Sequence, residues 1–465
     1  MTGDAVIASS SPQRPDDVVV EVAAASPEQV ATMAEVARAA GRSWRRAPAA
    51  ERAAALRAAG EALAAATEET ARLMAREVGK PIAEARAEVG RGVAILHYYA
   101  QQVFDPTGEL HAPSSAGLLF SQRRPRGVAG LITPWNFPVA IPLWKAAPAL
   151  AYGNGVVLKP SPEATACALR LGELLGRVLP DGLLQVAPGG AGTGAAVVDH
   201  ADAVSFTGSV RVGRQVAARA SARGVAVQAE MGGQNASVVL PDADLERAVA
   251  QVADAAMGYA GQKCTATSRV IVVGEGGRFL DAFVDAVEGL PVGDPERDGT
   301  AVGPVISERA RQAVLAAAGE AREAGGRVLT GGAGIEGAGW FVRPTVVDGL
   351  APTHRLAQEE VFGPICVVLP AADEAEAVRL ANGVRYGLVT SVFSRDLDRV
   401  LGLLDEIDTG LVKVNAPTSG VDFYLPFGGE KDSSFGPREQ GKAARELYTT
   451  TRTVTIAPSG AALRR

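Results

Sequence analysis

The spacing of hydrophobic and polar positions changes along the chain and divides it into segments of different secondary structure. From residue 27 to about residue 102 apolar positions recur every three or four residues, which predicts amphipathic helices. Between about 105 and 126 the pattern changes to short alternations with proline and glycine. Residues 117–125 there fit an exposed or inter-subunit strand.

From residue 127 onward, short apolar runs alternate with helical segments. The runs predict strands at 127–134, 155–160, 183–188, 203–208 and 225–233, with helices at 141–153 and 164–179. These runs are continuous and bounded by glycine and proline, so we expect the strands to be buried on both faces. That arrangement is typical of a parallel, doubly wound α/β sheet.

After residue 233 the alternation starts again. Helices are predicted at 242–261, 277–290, 308–326 and 374–383, with strands at 268–273 and 364–370. This pattern indicates a second α/β unit. Residues 450–458 form a lone terminal strand, which needs a partner edge on this subunit or on another.

Length and composition narrow the class of protein. A chain of 465 residues exceeds one ordinary core, and 47% hydrophobic with 21% charged residues is an ordinary globular balance. A net charge of −6 gives no general attraction to nucleic acid or to an anionic membrane. We expect no membrane span, since no run of about 18 apolar residues lacks charges.

Targeting and metal signals are weak. The polar N-terminus does not fit a signal peptide, and three widely spaced cysteines argue against a disulfide framework. The cytoplasm is therefore the expected compartment. The four histidines are scattered, and no cluster has metal-ligand spacing, so we predict no zinc site.

One cysteine differs from the other two in its neighbours. Cys264 lies in a polar, glycine-containing turn after a predicted helix, where a core residue is out of place. Cys167, on a helix, and Cys366, on a strand, fit small core hydrophobes. Cys264 is thus the candidate nucleophile, which must react as a thiolate.

Two further residues suit chemistry on a thiolate. Glu230 ends an apolar strand before two glycines, where a carboxyl group with a raised pKa can act as a general base. Asn136 lies between Trp135 and Phe137, and its amide can stabilise an oxyanion. Each residue also has a simpler interpretation when it is taken alone. Glu230 can be an exposed glutamate at the end of a strand, and Asn136 can be an ordinary turn asparagine.

The strand ends also carry candidates for anion binding. Lys159 ends a buried strand, and Gly208 and Ser209 lie at a strand-to-helix junction, where backbone N–H groups suit a pyrophosphate. Residues 190–195 match G-x-G-x-x-A. We discount that match because no clear helix is predicted after it and no acidic residue follows a next strand.

In order and spacing, these segments resemble the aldehyde dehydrogenase superfamily. The similar motifs are TPWNFP, LKPSPEAT, FTGSVRVG, EMGGQN, GQKCTATSR, QEEVFGPI, VNAP and PFGGEK. Three longer segments look most like the α-ketoglutaric semialdehyde dehydrogenase branch: PVAIPLWKAAPALAYGN, GQKCTATSRVIV and EIDTGLVKVNA.

The resemblance implies a mechanism. Cys264 would be the nucleophile, and the Asn136 side chain and the backbone N–H of Cys264 would form the oxyanion hole. Glu230 would activate the hydrolytic water, while Lys145 and Glu439 would lie on a proton route. The product would be a carboxylic acid, released from a thioester on Cys264.

The resemblance also implies binding residues. NAD or NADP would be held by residues after several strands: Ile132, Thr133, Pro134, Trp135, Lys159, Ser161, Pro162, Glu163, Gly192, Phe206, Thr207, Gly208, Ser209, Gly232, Glu360 and Phe362. The aldehyde would contact Phe137, Trp144, Tyr259, Lys263, Thr265, Val421 and Phe427. Neither nucleic acid nor a membrane is expected as a partner.

The implied fold is α/β, with a Rossmann-type cofactor domain, an α/β catalytic domain and a small β oligomerisation element. Residues 1–106 and 127–231 would form the first, 232–437 the second, and 107–126 with 438–465 the third. A homodimer or homotetramer is expected.

The sequence departs from the family pattern in three places. Many NAD-preferring members have glutamate three residues after the lysine of LKP; Pro162 stands here and Glu163 follows it, so we expect NADP to be accepted. Gln234 replaces a family lysine. The N-terminus looks shortened, without the usual first hairpin.

Three questions stay open at this stage. A coenzyme A-acylating enzyme or a non-catalytic relative on the same fold would share most of these motifs, although Glu230 favours water as acceptor.

The identity of the aldehyde is also undecided. Gly258 stands where some acid-semialdehyde enzymes have arginine, and the aromatic residues nearby, with Phe423, Tyr424 and Leu425, favour an apolar or aromatic aldehyde. The alternative is that Arg91 or His97 anchors a carboxylate.

Overall fold

The computed structural model describes residues 6–459. Residues 1–5, where the N-terminal segment and the predicted first domain begin, lie outside the described residues. So do residues 460–465, the end of the predicted oligomerisation element. No helix within the described part of the chain is both long and apolar enough to cross a membrane.

The elements alternate much as the hydrophobic pattern predicts. The helices are α1 (Pro27–Trp44), α2 (Ala49–Ala65), α3 (Thr67–Val78), α4 (Ile82–Gln102), α5 (Ala140–Ala151), α6 (Thr165–Gly176), α7 (Ala191–His200), α8 (Val210–Ala222), α9 (Leu245–Met257), α10 (Gly277–Glu288), α11 (Glu308–Glu323), α12 (Arg355–Gln358), α13 (Glu374–Asn382), α14 (Leu397–Leu404) and α15 (Arg445–Tyr448). The first ten strands are β1 (Val6–Ser11), β2 (Arg14–Ala23), β3 (Leu110–His111), β4 (Leu118–Pro125), β5 (Val128–Ile132), β6 (Gly155–Lys159), β7 (Leu184–Val186), β8 (Ala203–Thr207), β9 (Ala226–Glu230) and β10 (Asn235–Val239). The other ten are β11 (Thr267–Val273), β12 (Arg327–Thr330), β13 (Thr345–Asp348), β14 (Ile365–Ala371), β15 (Tyr386–Gly387), β16 (Val389–Phe393), β17 (Leu411–Val414), β18 (Glu430–Lys431), β19 (Ser434–Phe435) and β20 (Thr449–Ile456).

The first sheet has six strands in the order β19-β9-β8-β5-β6-β7. All are parallel except β19, and β5, β6 and β8 are buried along their whole length. This confirms the predicted α/β class. The strand order reverses between β5 and β8, and ligands of such sheets bind outside the carboxyl ends of the strands at this switch point.

The second sheet has seven strands in the order β12-β13-β14-β11-β10-β16-β17, and only β12 is antiparallel to its neighbour. Its own hydrophobic core includes Phe279, Phe283 and Phe393. The order reverses between β10 and β16, so this sheet also has a switch point. The strand after Glu230, β10, begins this second sheet.

The third sheet, β20-β4-β3, contains the terminal strand predicted at residues 450–458, which is β20, and shows which strand it pairs with. β20 pairs antiparallel with β4 from Thr449 opposite Pro125 to Ile456 opposite Leu118. The strand that pairs with β20 therefore lies in the same chain, and β4 is long enough to pair with β20 along its whole length.

The domain boundaries drawn from the sequence stay a prediction. β19, placed in the second domain by that division, pairs with β9 of the first sheet.

Two sequence-based expectations are wrong. The N-terminal hairpin is present, since β1 pairs antiparallel with β2, and Ser9 of β1 donates to the buried carboxylate of Glu77 at 2.6 Å. A helix does follow Gly190, because α7 begins at Ala191 with Gly190 as its N-cap. The alanines and valines of α7 were too few to give a clear helical period.

Candidate active site

Cys264 lies in a strained turn between α9 and β11. The chain leaves α9 through a 3₁₀ turn, Gly258–Gly261, in which Tyr259 and Ala260 have φ of 52° and 53°. Gly261 is also left-handed, and a Cβ there would lie 2.3 Å from the carbonyl oxygen of Gly363. Such strain persists only where the surrounding packing enforces it. The turn leaves Cys264 partly exposed, whereas Cys167 and Cys366 are buried.

The surroundings of Cys264 disfavour its thiolate. Burial raises the pKa of the thiol to about 12, and the negative charges of Glu360, Glu230 and Glu439 add to the effect. The protein's own groups therefore favour the thiol form of Cys264 over the thiolate. A positive charge placed beside the sulfur would reverse this electrostatic penalty.

A cavity of about 250 Å³ opens onto Cys264. Its wall includes six of the seven residues predicted to contact an aldehyde: Phe137, Trp144, Lys263, Thr265, Val421 and Phe427. Trp144 and Phe427 pack with ring centroids 5.9 Å apart. The wall near the sulfur is thus largely apolar and aromatic.

Tyr259 does not belong to this wall, and its prediction as a substrate contact is wrong. Its side chain is fully buried, and its hydroxyl donates to the carbonyl oxygen of Val78 at 3.0 Å. The left-handed backbone of the turn points the ring away from the cavity. Tyr424 and Leu425 are about half exposed and are also absent from the cavity wall.

One face of α4 forms the other side of the cavity. Glu84, Ala87, Glu88 and Arg91 follow the i, i+3, i+4, i+7 spacing of a single helix face and all line it. The sequence reasoning considered Arg91 but missed Glu84 and Glu88. The signal in the sequence was two glutamates four residues apart, a spacing that places them on one face of a helix.

Most charges on this face are already paired. Lys263 Nζ lies 2.8 Å from the Glu84 carboxylate. Glu88 pairs with the buried Lys80, and its Oε1 accepts 2.9 Å hydrogen bonds from the backbone N–H groups of Val139 and Ala140 at the start of α5. Glu88 therefore fixes the N-terminus of α5 beside the cavity.

Asn136 is buried and tied to the cysteine turn. It follows β5, and its Nδ2 donates to the carbonyl oxygen of Gln262 at 2.9 Å, two residues before Cys264. A carboxamide nitrogen carries two N–H donors. One fixes the turn, and the second is free for an oxygen bound near the sulfur.

Glu230 ends β9 in a buried polar cluster. Its carboxylate accepts from Gln228 Nε2 at 3.0 Å and from the Ser434 hydroxyl. Burial, with the charge of Glu439 as second cause, raises the pKa of Glu230 to about 8. A carboxyl group with this pKa can exchange a proton near neutral pH.

The cluster continues from Glu230 to α5. Lys145 donates to the Ser205 hydroxyl at 2.7 Å and pairs with Glu439, and Ser205 donates to Gln228 Oε1 at 2.6 Å. Glu439 Oε2 has no partner within the described residues. These side chains form a continuous hydrogen-bonded path through the interior next to Glu230.

The residues predicted to hold a cofactor gather at the carboxyl ends of the first sheet. Ile132 ends β5, Lys159 ends β6 and Thr207 ends β8, so their following loops meet at the switch point. Ser209 is exposed as the N-cap of α8 and accepts from the backbone N–H of Val212. The free N–H groups of this helix start suit a pyrophosphate.

Lys159 is fixed in this crevice. It is buried, and its ammonium group donates to the carbonyl oxygens of Pro160 and, at 2.7 Å, Gly189. Burial lowers the pKa of Lys159 to about 8, while nearby Glu163 opposes that shift. Glu163 itself accepts from the Ser161 hydroxyl. The discounted glycine segment therefore lies at the site, because α7 packs against Lys159.

Glu360 and Phe362 close the crevice from the second sheet. Glu360 accepts from the backbone N–H of Gly233 at 3.2 Å, and burial raises its pKa to about 7. A Cβ at Gly232 would lie 2.1 Å from a carboxylate oxygen of Glu360, so a larger residue there would displace the Glu360 side chain. Phe362 has φ 58° and packs edge-on against Trp135 at 5.7 Å.

Comparison with known proteins gives one consistent result. A model described as "Aldehyde dehydrogenase family" matches residues 2–454. An α-ketoglutaric semialdehyde dehydrogenase of Bacillus subtilis is 39% identical, over 98% of this chain and 96% of its own length.

Solved structures agree. An NAD-dependent aldehyde dehydrogenase from Sinorhizobium meliloti has a TM-score of 0.95 at 33% identity, covering 99% of this chain and 93% of that one. A betaine aldehyde dehydrogenase from Staphylococcus aureus, in complex with NAD+, has a TM-score of 0.94 at 29% identity with the same coverage.

Proposed function

The chain belongs to the aldehyde dehydrogenase family, and from that premise we propose that it oxidises an aldehyde to a carboxylic acid through a thioester on Cys264. The observation that carries this proposal is the strained turn that exposes Cys264, alone of the three cysteines, to a cavity of about 250 Å³. Aldehyde-dependent formation of NADH by the purified enzyme tests it.

NAD is the expected hydride acceptor, and the crevice at the switch point fits it. The start of α8 at Ser209 and the buried Lys159 would hold its pyrophosphate and ribose, and Glu360 its second ribose. When bound, NAD supplies the hydride acceptor and a positive ring near the sulfur.

The first half of the reaction belongs to Cys264. Its thiol loses a proton to solvent through the cavity, and the thiolate attacks the aldehyde carbon while the carbonyl π electrons move to the oxygen. The second N–H of Asn136 and the backbone N–H of Cys264 stabilise that oxyanion. Loss of a hydride from the carbon then leaves a thioester on Cys264.

The second half belongs to Glu230. Its carboxylate accepts a proton from water, whose oxygen bonds to the acyl carbon. The C–S bond breaks, the acid leaves and the sulfur keeps the electron pair. The proton then leaves Glu230 for solvent, with the carboxylate of Glu439, paired with Lys145, as the nearby base that can take it up on the way.

The position of Glu163 favours NAD over NADP and argues against the expectation drawn from Pro162. We predict that Glu163→Ala improves kcat/KM for NADP relative to NAD by about tenfold, roughly 1.4 kcal/mol, since a carboxylate repels a 2′-phosphate. Steady-state kinetics with both cofactors measures it, with the exposed Glu61→Ala as control. A wild-type enzyme that prefers NADP would contradict this prediction.

For the substrate we propose an aldehyde with a distal carboxylate, anchored by Arg91. Arg91 lines the cavity one helical turn beyond Glu88. Among the ion pairs of the described residues Lys263 is neutralised by Glu84, whereas Arg91 takes part in none. The carboxylates of Glu84 and Glu88 on the same helix face are already paired with lysines, so the guanidinium of Arg91 is free to bind a substrate carboxylate bidentately.

Lys413 strengthens the positive potential near Arg91. It donates to the carbonyl oxygens of Ser419, at 2.6 Å, and Gly420, and both of those residues line the cavity. Burial lowers the pKa of Lys413; the charge of nearby Asp422 opposes that shift, and the charge of Arg91 adds to it, so the two cations are close. The name of the Bacillus subtilis relative, an α-ketoglutaric semialdehyde dehydrogenase, also supports an acid substrate.

We predict that Arg91→Leu lowers kcat/KM for α-ketoglutaric semialdehyde about 10- to 100-fold, because one charge-assisted contact is lost. Hexanal, which has no carboxylate, should change by less than about threefold. Steady-state kinetics with both aldehydes measures the difference. Arg91→Lys, which keeps the charge without the fork, should fall between.

Exposed Arg57→Leu on α2 is the charge-matched control. Equal losses on both aldehydes would show that Arg91 supports the fold instead of the substrate. Better turnover of a cationic aldehyde such as 4-aminobutanal would indicate that Glu84 or the exposed Asp254 selects the substrate.

We further propose a homodimer or homotetramer formed through the β20-β4-β3 sheet, in the cytoplasm. Large apolar side chains on this sheet are exposed in the single chain, at Leu110, Leu118 and Ile456. Burying them against a second copy would be favourable. The three free thiols suit a reducing compartment.

A further inference from the structure

A second cavity, of about 500 Å³, lies between the helical layer of the first domain and the β20-β4-β3 sheet. It shares no wall residue with the cavity at Cys264. Its wall comes from the chain after α1, from α2, from the end of α4, from β4, from the end of α5, and from α15 and β20. A volume between about 300 and 1,000 Å³ is usual for a small-molecule site.

Arginines dominate this wall. Seven of them line the cavity, against one acidic residue, Asp105, in a chain whose net charge is −6. Asp105 is itself paired with Lys442 at 3.1 Å. Like charges held together cost free energy unless an anion compensates them, so this concentration needs an explanation.

Few of these guanidinium groups have a protein partner. Within residues 6–459 only Arg123 forms an ion pair, with Glu446. Arg452 donates to Gln122 Oε1, and Arg52 donates to the carbonyl oxygen of Ala47. The other four arginines have no acidic partner in the described chain: Arg45, Arg46, Arg124 and Arg445.

Some side chains of this wall also have polar atoms that are buried from water and lack a hydrogen-bond partner in the described part of the chain. Four buried atoms without a partner in the described part of the chain belong to this wall: Arg52 Nε, Gln102 Oε1, Tyr152 Oη and Arg445 Nε. Leaving such groups unsatisfied is costly, and an occupant of the cavity toward which these side chains turn would give them partners. Three of the four are donors, and that suits an anion.

We propose that this arginine cavity is a binding site for a small multivalent anion that carries phosphate groups. Planar guanidinium forks bind phosphate oxygens bidentately, and several forks around one concave space match a di- or triphosphate better than a single carboxylate. An acidic segment of a second copy is the competing occupant. The concave shape and the volume of about 500 Å³ favour a small molecule.

The test is calorimetric titration of the intact enzyme with inorganic pyrophosphate. NAD is kept saturating, so that the start of α8 at Ser209 is already occupied, and chloride holds the ionic strength constant. One pyrophosphate should bind per chain. The double variant Arg46→Ser with Arg124→Ser should weaken binding at least about tenfold, since two charge-assisted contacts are lost.

A matched control removes two exposed arginines elsewhere, Arg57→Ser with Arg309→Ser, and should bind as the wild type does. Arg46→Lys keeps the charge and should bind with intermediate affinity, which keeps the test usable if the double variant does not fold. Unchanged affinity in the double variant, or no binding to the wild type, would overturn the proposal. If the double variant instead changes the sedimentation coefficient, a second copy fills the cavity and the proposal is wrong.

Discussion

Cys264→Ala should abolish aldehyde oxidation, with a fall in kcat of at least about 10⁴-fold, because neither of the other two cysteines lines the cavity. NAD should still bind and the melting temperature should stay close to that of the wild type, since the side chain is small and partly exposed. NADH absorbance measures the activity, and calorimetry measures the cofactor affinity.

The buried cysteines provide the control. Cys366→Ala should keep kcat and lose stability, because it removes a fully buried side chain from β14. If Cys264→Ala turned over at a near-normal rate while Cys366→Ala did not, the nucleophile would have been assigned to the wrong cysteine.

Glu230→Gln should permit hydride transfer but slow hydrolysis of the thioester about 10²- to 10⁴-fold, because an amide cannot take a proton from water. In the wild type, hydrolysis should speed up as the pH rises through about 8. The raised pKa leaves Glu230 mostly protonated below that value, and its basic form accumulates above it. Pre-steady-state NADH formation between pH 6 and pH 10 separates the two steps.

In Glu230→Gln the rise near pH 8 should disappear from the hydrolytic step, while the exposed Glu61→Gln should keep the wild-type profile. A steady-state rate in Glu230→Gln equal to that of the wild type would place the base elsewhere. Added coenzyme A should not speed up either enzyme, since water is the proposed acceptor.

The elements that the sequence predicted well are those whose pattern needs no tertiary information. β5, β6 and β8 are continuous apolar runs because helices cover both faces of the sheet, and each run ends where a candidate cofactor residue begins. The different surroundings of Cys264 and Cys366 also follow from their neighbours alone.

The errors arise where distant contacts decide the structure. The N-terminal hairpin is held in place by packing of β1 on α3 and by the hydrogen bond from Ser9 to Glu77, contacts that the valines of β2 alone do not reveal. Tyr259 was assigned to the substrate by the family resemblance, but its side chain is fully buried and does not line the cavity. Helical spacing alone does not reveal that Glu84 and Glu88 face the cysteine from α4.

The most direct test of the central claim is the mass of the acyl-enzyme. Glu230→Gln is mixed with NAD and an excess of aldehyde, quenched in acid after a few seconds and digested. We expect one equivalent of NADH per active site and a matching acyl mass on the peptide that contains Cys264, with none on Cys167 or Cys366. A burst of NADH without an acyl group on Cys264, or an acyl group on another residue, would contradict the proposed mechanism.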